Sequence, residues 1–252
     1  MGEIGSKRQE SILTSSAHTS LHFVWCVPRS RSTAFEKMMA NSKQFNVVGE
    51  PFIDFYKQGL LSADDFLKAQ TNFNDTFASL LHSSLSQTVF VKDMAYHANE
   101  FISDSHILSA KHAFLIRNPQ LSIPSLYKMR NNFQANEVGF EGQYKLFKRV
   151  LELTKTKPFV MDAEILIKSP QNTVKGFFDF MGHPMPDDIL DWQPGSRKDW
   201  EGRESWHIDA INSSGFTDGK TDVNLRDLPS RVTKIILKNM PYYNLMREKL
   251  SS

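Results

Sequence analysis

The chain reads as an α/β protein, a mainly parallel sheet flanked by helices on both faces in three layers. Three observations predict it. Short apolar runs of strand length, rich in Val, Phe and Ile, alternate with helical stretches from Leu21 onward. Within those runs the apolar residues are consecutive rather than alternate, the mark of strands covered on both sides. Strand–helix alternation carried through most of the chain is the pattern of βαβ units, and 252 residues suffice for one full core.

The first unit organises the rest. Leu21 to Val27 is a β-branched and aromatic strand, and Ala34 to Asn41 is helical, with Phe35, Met38 and Met39 on one apolar stripe. Between them Pro28-Arg29-Ser30-Arg31-Ser32-Thr33 supplies three hydroxyls and two guanidiniums. A strand that turns at once into a helix aims the helix's first N–H groups, and the positive end of its dipole, into the turn. Together with paired guanidinium donors this makes an anion site suited to phosphate. The competing reading is a polar turn capped by Ser30 or Ser32 with both arginines solvated. It uses one hydroxyl and leaves two cations side by side. The turn is not a nucleoside-triphosphatase loop of the usual kind, because it has no glycine and no lysine before Ser32 or Thr33.

Further along, Phe45 to Val48 is a short strand ending at Gly49-Glu50-Pro51-Phe52, which puts Glu50 at a carboxyl end, where open α/β sheets place ligands. Ser62 caps a helix, with Asp65 reaching back, and Asp75 to Leu85 is expected as a second one. Thr88 to Val91 is a strand leading into Lys92-Asp93-Met94-Ala95-Tyr96-His97, and His112 to Ile116 another, ending in Arg117-Asn118-Pro119. Asn118 with Pro119 opens a helix, in which Pro124 is expected to kink the axis or to end the helix. A helix over 141–154, a strand over 158–161 and a helix from Ser169-Pro170 to Gly182 follow. From Asp187 to Asp227 the periodicity fails. With Trp192, Trp200 and Trp206 this segment is expected as a long lid or substrate loop. The last helix carries Val232, Ile235 and Ile236 and is expected to break at Pro241.

Composition narrows the classes. A net charge of +2 with no long Lys/Arg run argues against a nucleic-acid surface. The single Cys26 lies in a strand, which excludes an internal disulfide and argues against thiolate zinc; no metal-ligand cluster is expected. Residues 1–20 are polar and expected as a flexible N-terminus before one domain over 21–252. No stretch has membrane-spanning length, and a cytoplasmic, reducing setting is expected.

Three segments together resemble the sulfotransferases that use 3′-phosphoadenosine 5′-phosphosulfate (PAPS). Pro28 to Thr33 is similar to their N-terminal Pro-Arg-Ser-x-Ser-Thr loop, which wraps the 5′-phosphosulfate. Arg117 and Pro119, with Ser125 eight residues after the arginine, are similar to their 3′-phosphate motif. Gly195 to Trp206 is a loose version of their C-terminal nucleotide-covering segment. Glu50-Pro51-Phe52, Lys92-Asp93-Met94 and the run from Trp206-His207 to Phe216 also resemble small relatives in microbial specialised metabolism. The resemblance spans about residues 21 to 220. It implies a P-loop-type fold and transfer of a sulfuryl group from PAPS to a hydroxyl, or an amine or carbamoyl nitrogen, of a small-molecule acceptor. The product nucleotide would be adenosine 3′,5′-bisphosphate (PAP), held by Arg29, Ser30, Arg31, Ser32, Thr33, Arg117, Ser125, Gly195 and Arg197. Neither nucleic acid nor membrane is an expected partner, and the chain is expected as a monomer or homodimer.

Departures from the family pattern matter. Its loop lysine is Arg29 here, and an arginine stabilises charge without giving up a proton. The general base for the acceptor is sought among His97, Asp93 and Glu50, in that order. Two other functions share the fold: a Mg²⁺-dependent kinase of small molecules, which needs the missing loop lysine, and a non-catalytic nucleotide-binding protein.

Overall fold

A computed structural model describes residues 20–217 and 224–251. The expected flexible segment 1–20 lies outside them except for Ser20, and so does part of the 187–227 loop. Five parallel strands form the sheet in the order β2-β3-β1-β4-β5. They are β1 (Leu21–Cys26), β2 (Asn46–Gly49), β3 (Val89–Met94), β4 (Lys111–Ile116) and β5 (Phe159–Asp162). The helices are α1 (Ser32–Asn41), α2 (Ile53–Gly59), α3 (Ala63–Ser83), α4 (Ala95–Ala98), α5 (Asp104–Leu108) and α6 (Pro119–Met129). After them come α7 (Phe140–Thr154), α8 (Ala163–Lys168), α9 (Pro170–Met181), α10 (Glu204–Ile211) and α11 (Ser230–Arg247).

β1 sits at the centre, and its alternate side chains feed two cores. Phe23 and Trp25 face the layer built by α3, α7 and α11, while Val24 and Cys26 face the layer of α1 and α9. The α1 stripe of Phe35, Met38 and Met39 is fully buried in the second core, which stabilises the packing by about 1.5–3 kcal/mol per side chain. Because β1 neighbours both β3 and β4, the carboxyl end of β1 is where the sheet order turns, the place such sheets hold ligands.

Several expectations shift. α3 is one helix of 21 residues instead of two. Ala69, Phe73, Phe77 and Leu80 form an unbroken buried stripe across the supposed gap. α6 continues past Pro124 to Met129, and α11 runs through Pro241 to Arg247. In α11 the packing of Tyr243 and Met246 beyond the proline holds the second half in place. β3 runs on through Lys92 and Asp93 to Met94, three residues past its expected end, because both charges are buried against partners rather than solvated. The 187–227 segment is not all loop: it contains α10. No described helix is long and apolar enough to cross a membrane.

Candidate active site

The turn after β1 takes a strained path. Arg29 and Arg31 both adopt left-handed backbone, φ 60° and 64°, in a region side chains other than glycine's avoid. Arg31 is the N-cap of α1 and makes no side-chain cap bond. The cap from Ser30 or Ser32 that the competing reading required is not formed, and the first N–H groups of α1 stay available to a ligand. The Ser30 hydroxyl is buried without a hydrogen-bond partner among the described residues.

The second arginine motif meets the first directly. Arg29 Nε donates to Ser125 Oγ at 3.0 Å. Arg117 donates from Nη1 to the Arg29 carbonyl at 2.7 Å and from Nε to Glu164 at 3.0 Å. Where Arg117 and Ser125 were expected to share one anion, Ser125 here accepts from Arg29, and the two turns form one wall. Burial and the neighbouring Arg117 lower the Arg29 guanidinium below its ordinary value, against the raising pull of Asp209 3.4 Å away. All four of Arg29, Arg31, Arg117 and Ser125 line a cavity of about 860 Å³.

Of the three base candidates, His97 and Glu50 line the same cavity. Asp93 is fully buried and accepts from the Phe52 N–H at 2.9 Å and the Met94 N–H at 2.7 Å. His97 Nδ1 lies 2.6 Å from Asp93 Oδ1. A carboxylate accepting the Nδ1 proton leaves His97 Nε2 with its lone pair. His97 lines the cavity beside Tyr96, the two rings 4.3 Å apart, whereas Asp93 does not line it. Glu50 also lines the cavity, in left-handed backbone of φ 50°. Its Oε1 lies 2.6 Å from Lys92 Nζ. Burial would raise this carboxyl, but Lys92 and nearby His97 hold it down at about 2.

Sequence reasoning missed the group behind Glu50. Lys92 is shared between Glu50 and the buried Glu36, 3.0 Å away. Burial would lower the ammonium, and the two carboxylates outweigh that and raise it. The one signal was a charged pair, Glu36-Lys37, set between the apolar residues of α1. Gly195 and Arg197 do not line the cavity. The Gly195 N–H donates to Ile211, and Arg197 turns back to Asp199, the Val47 carbonyl and Glu36. Arg203, Trp206 and His207 of the same segment line it in their place, and Trp200 is buried beneath them. Among the described residues no cluster of three or more His, Cys, Asp or Glu side chains is placed to hold a metal.

A family model described as a sulfotransferase domain matches residues 21–250. The chain belongs to the sulfotransferase family. Membership fits the site, where every strand end that bears a family-like motif contributes to one cavity. Two of the solved structures that share the fold are sulfotransferases. One is the sulfotransferase domain from the Synechococcus PCC 7002 olefin synthase, at 14% identity and TM-score 0.57, covering 89% of this chain and 94% of that one. The other is a sulfotransferase from Alicyclobacillus acidocaldarius, at 10% identity and TM-score 0.50, covering 90% and 93%. Among curated proteins, branched-chain-amino-acid aminotransferase-like protein 1 of Arabidopsis thaliana is 26% identical over 241 residues, 88% of this chain and 41% of that protein. Protein 2 of the same name is 24% identical over 242 residues. The chain thus spans about two fifths of the length of these curated relatives.

Proposed function

We propose that the chain transfers a sulfuryl group from PAPS to a hydroxyl or amine of a small-molecule acceptor and releases PAP. The observation that carries this reading is the joined wall of Arg29, Ser125 and Arg117 beside the uncapped start of α1. It offers cations and donors for a ligand with two phosphate-bearing ends, and the motifs that build it are those the family resemblance assigns to PAPS.

In this reading His97 is the base and Asp93 orients it. The acceptor oxygen bonds to sulfur as the bond from sulfur to the 5′-phosphate oxygen breaks. The acceptor proton passes to His97 Nε2, and the electron pair stays on the departing phosphate oxygen. Arg29 and the α1 N–H groups stabilise that oxygen electrostatically. Glu50, held at about 2, is a poor base for a hydroxyl proton and serves instead as a fixed hydrogen-bond acceptor facing the acceptor substrate. Among the other expected nucleotide contacts, Ser30, Arg31, Ser32 and Thr33 keep that role, while Gly195 and Arg197 act by shaping the segment that carries Arg203 and Trp206.

Calorimetry with PAP and with adenosine monophosphate tests the nucleotide, and PAPS consumption over an acceptor panel in excess chelator tests the reaction. PAP is expected to bind at least about tenfold more tightly, a difference of roughly 1.4 kcal/mol, and turnover is expected to survive the chelator. Equal affinities would overturn the reading. Turnover of a nucleoside triphosphate that the chelator abolishes would favour the kinase.

A further inference from the structure

Glu36 is fully buried one helical turn into α1, and the transfer scheme makes no use of it. A buried carboxylate is costly unless it is paired, and this one draws its partners from two separate parts of the chain. Lys92 at the end of β3 lies 3.0 Å from Oε2. Trp200 Nε1 donates to Oε1 at 2.9 Å, and Arg197 Nε lies 3.6 Å from the same oxygen. Gly49, at the end of β2, completes the enclosure: a Cβ there would meet Glu36 Oε1 at 2.6 Å and force the carboxylate to shift.

Two of these contacts lead to the cavity. The Trp200 indole is stacked on the His207 ring, with centroids 4.9 Å apart and planes at 29°. His207 lines the cavity, and its Nδ1 lies 3.3 Å from Thr33 Oγ1 in the arginine-bearing turn. On the other side Lys92 connects Glu36 to the Glu50 carboxylate. We propose that Glu36 is the positioning residue of this site: through Trp200 it sets the His207 ring against Thr33, and through Lys92 it fixes Glu50 at the acceptor end. One carboxylate thereby aligns the two sides of the cavity, which belong to segments more than 150 residues apart in the chain (Glu50 and His207). The consequence for turnover rests on the sulfotransferase reading, whereas the contact does not.

His207 gives a direct readout. It is faced by Trp200, Thr33, Lys92, Glu50, Glu36 and Arg203, and burial, the largest influence, lowers it below the ordinary imidazole value. The variant Trp200→Phe keeps a ring for the stack and removes the N–H that Glu36 holds. In this variant the His207 proton resonance, assigned by its loss in His207→Asn, is expected to titrate closer to the ordinary value than in the wild type. KM for PAPS is expected to rise roughly tenfold, the loss of one hydrogen bond to a charged group, with kcat changed less and Tm within a few degrees. Glu36→Gln should reproduce the rise in KM; if that variant fails to fold, Trp200→Phe alone decides. An unmoved His207 titration or an unmoved KM in Trp200→Phe overturns the proposal. A wild-type protein that neither binds PAP nor consumes PAPS sinks the functional reading instead, and the His207 titration still judges the contact.

Discussion

Three charged residues, Arg29, Arg31 and Glu50, hold left-handed backbone around one cavity. Such conformations cost about 1–3 kcal/mol each and persist where neighbours over-determine them. Here Arg29 is tied to Ser125, Arg31 to the Thr217 carbonyl at 2.8 Å, and Glu50 to Lys92. In the proposed scheme Arg29 stabilises charge, so Arg29→Ala is expected to lower kcat by about 10²–10³-fold, and circular dichroism should show an unchanged fold. His97→Ala is expected to lower kcat by about 10²–10⁴-fold with PAP affinity retained in calorimetry. Unchanged turnover would overturn His97 as the base. Far from the site, two buried histidines set the response to acid. His112 accepts from Trp25 Nε1 at 2.9 Å and donates from Nε2 to the Ile107 carbonyl at 2.9 Å, a neutral ring with both nitrogens used. Burial pushes it down to about 4, and it pushes His22, with Lys111 nearby, down to about 3. Both folded values lie below the ordinary 6.5, so below that pH the unfolded chain takes up protons first. Their contribution to stability is complete above pH 6.5 and is lost toward pH 4 and then 3, at up to about 1 kcal/mol per pH unit for each ring. Urea denaturation across that range checks it, and His22→Leu should flatten the slope.

At the scale of elements, α10 is fastened from its carboxyl end. Lys37 Nζ donates to the carbonyls of Ala210, Ile211 and Ser213 at 2.7, 3.1 and 3.3 Å. These sit where the last carbonyls of a helix lack partners within the helix and the dipole is negative. Lys37→Met keeps the length of the side chain and removes those bonds. It is expected to weaken the docking of α10 by about 1–2 kcal/mol, so limited proteolysis should cut within residues 197–217 first while Tm moves little. Full protection of that segment would count against the role. The same segment shows why periodicity reads some elements and misses others. α10 buries only His207 and Ala210, too few residues to leave a stripe in the sequence, and its place is set by Lys37 and Thr33 of α1, far away in the chain.

On the scale of the molecule, the carboxyl ends of β1, β2, β3 and β4 meet at one cavity, which residues from both halves of the chain line. PAP at one hundred times its dissociation constant is expected to add about 2.7 kcal/mol of stability. For a chain of this size that raises Tm by roughly 5–10 °C. Thermal denaturation with and without PAP measures the shift, and none at saturating PAP would contradict binding at this site.

The sequence by itself determined the parallel α/β architecture, because strands covered on both faces need consecutive apolar residues such as those of β1 and β4. It also marked the Pro28–Thr33 turn, the Arg117–Ser125 motif and the candidates at positions 50, 93 and 97, since short-range spacing writes such features into the chain. Tertiary structure alone decided which candidates cooperate. Asp93 is spent on Phe52, Met94 and His97, Ser125 answers Arg29, and Glu36 meets Lys92 and Trp200. The physical reason is that burying a charge fixes its partners through space, and residues brought together from distant segments leave no periodic trace along the sequence.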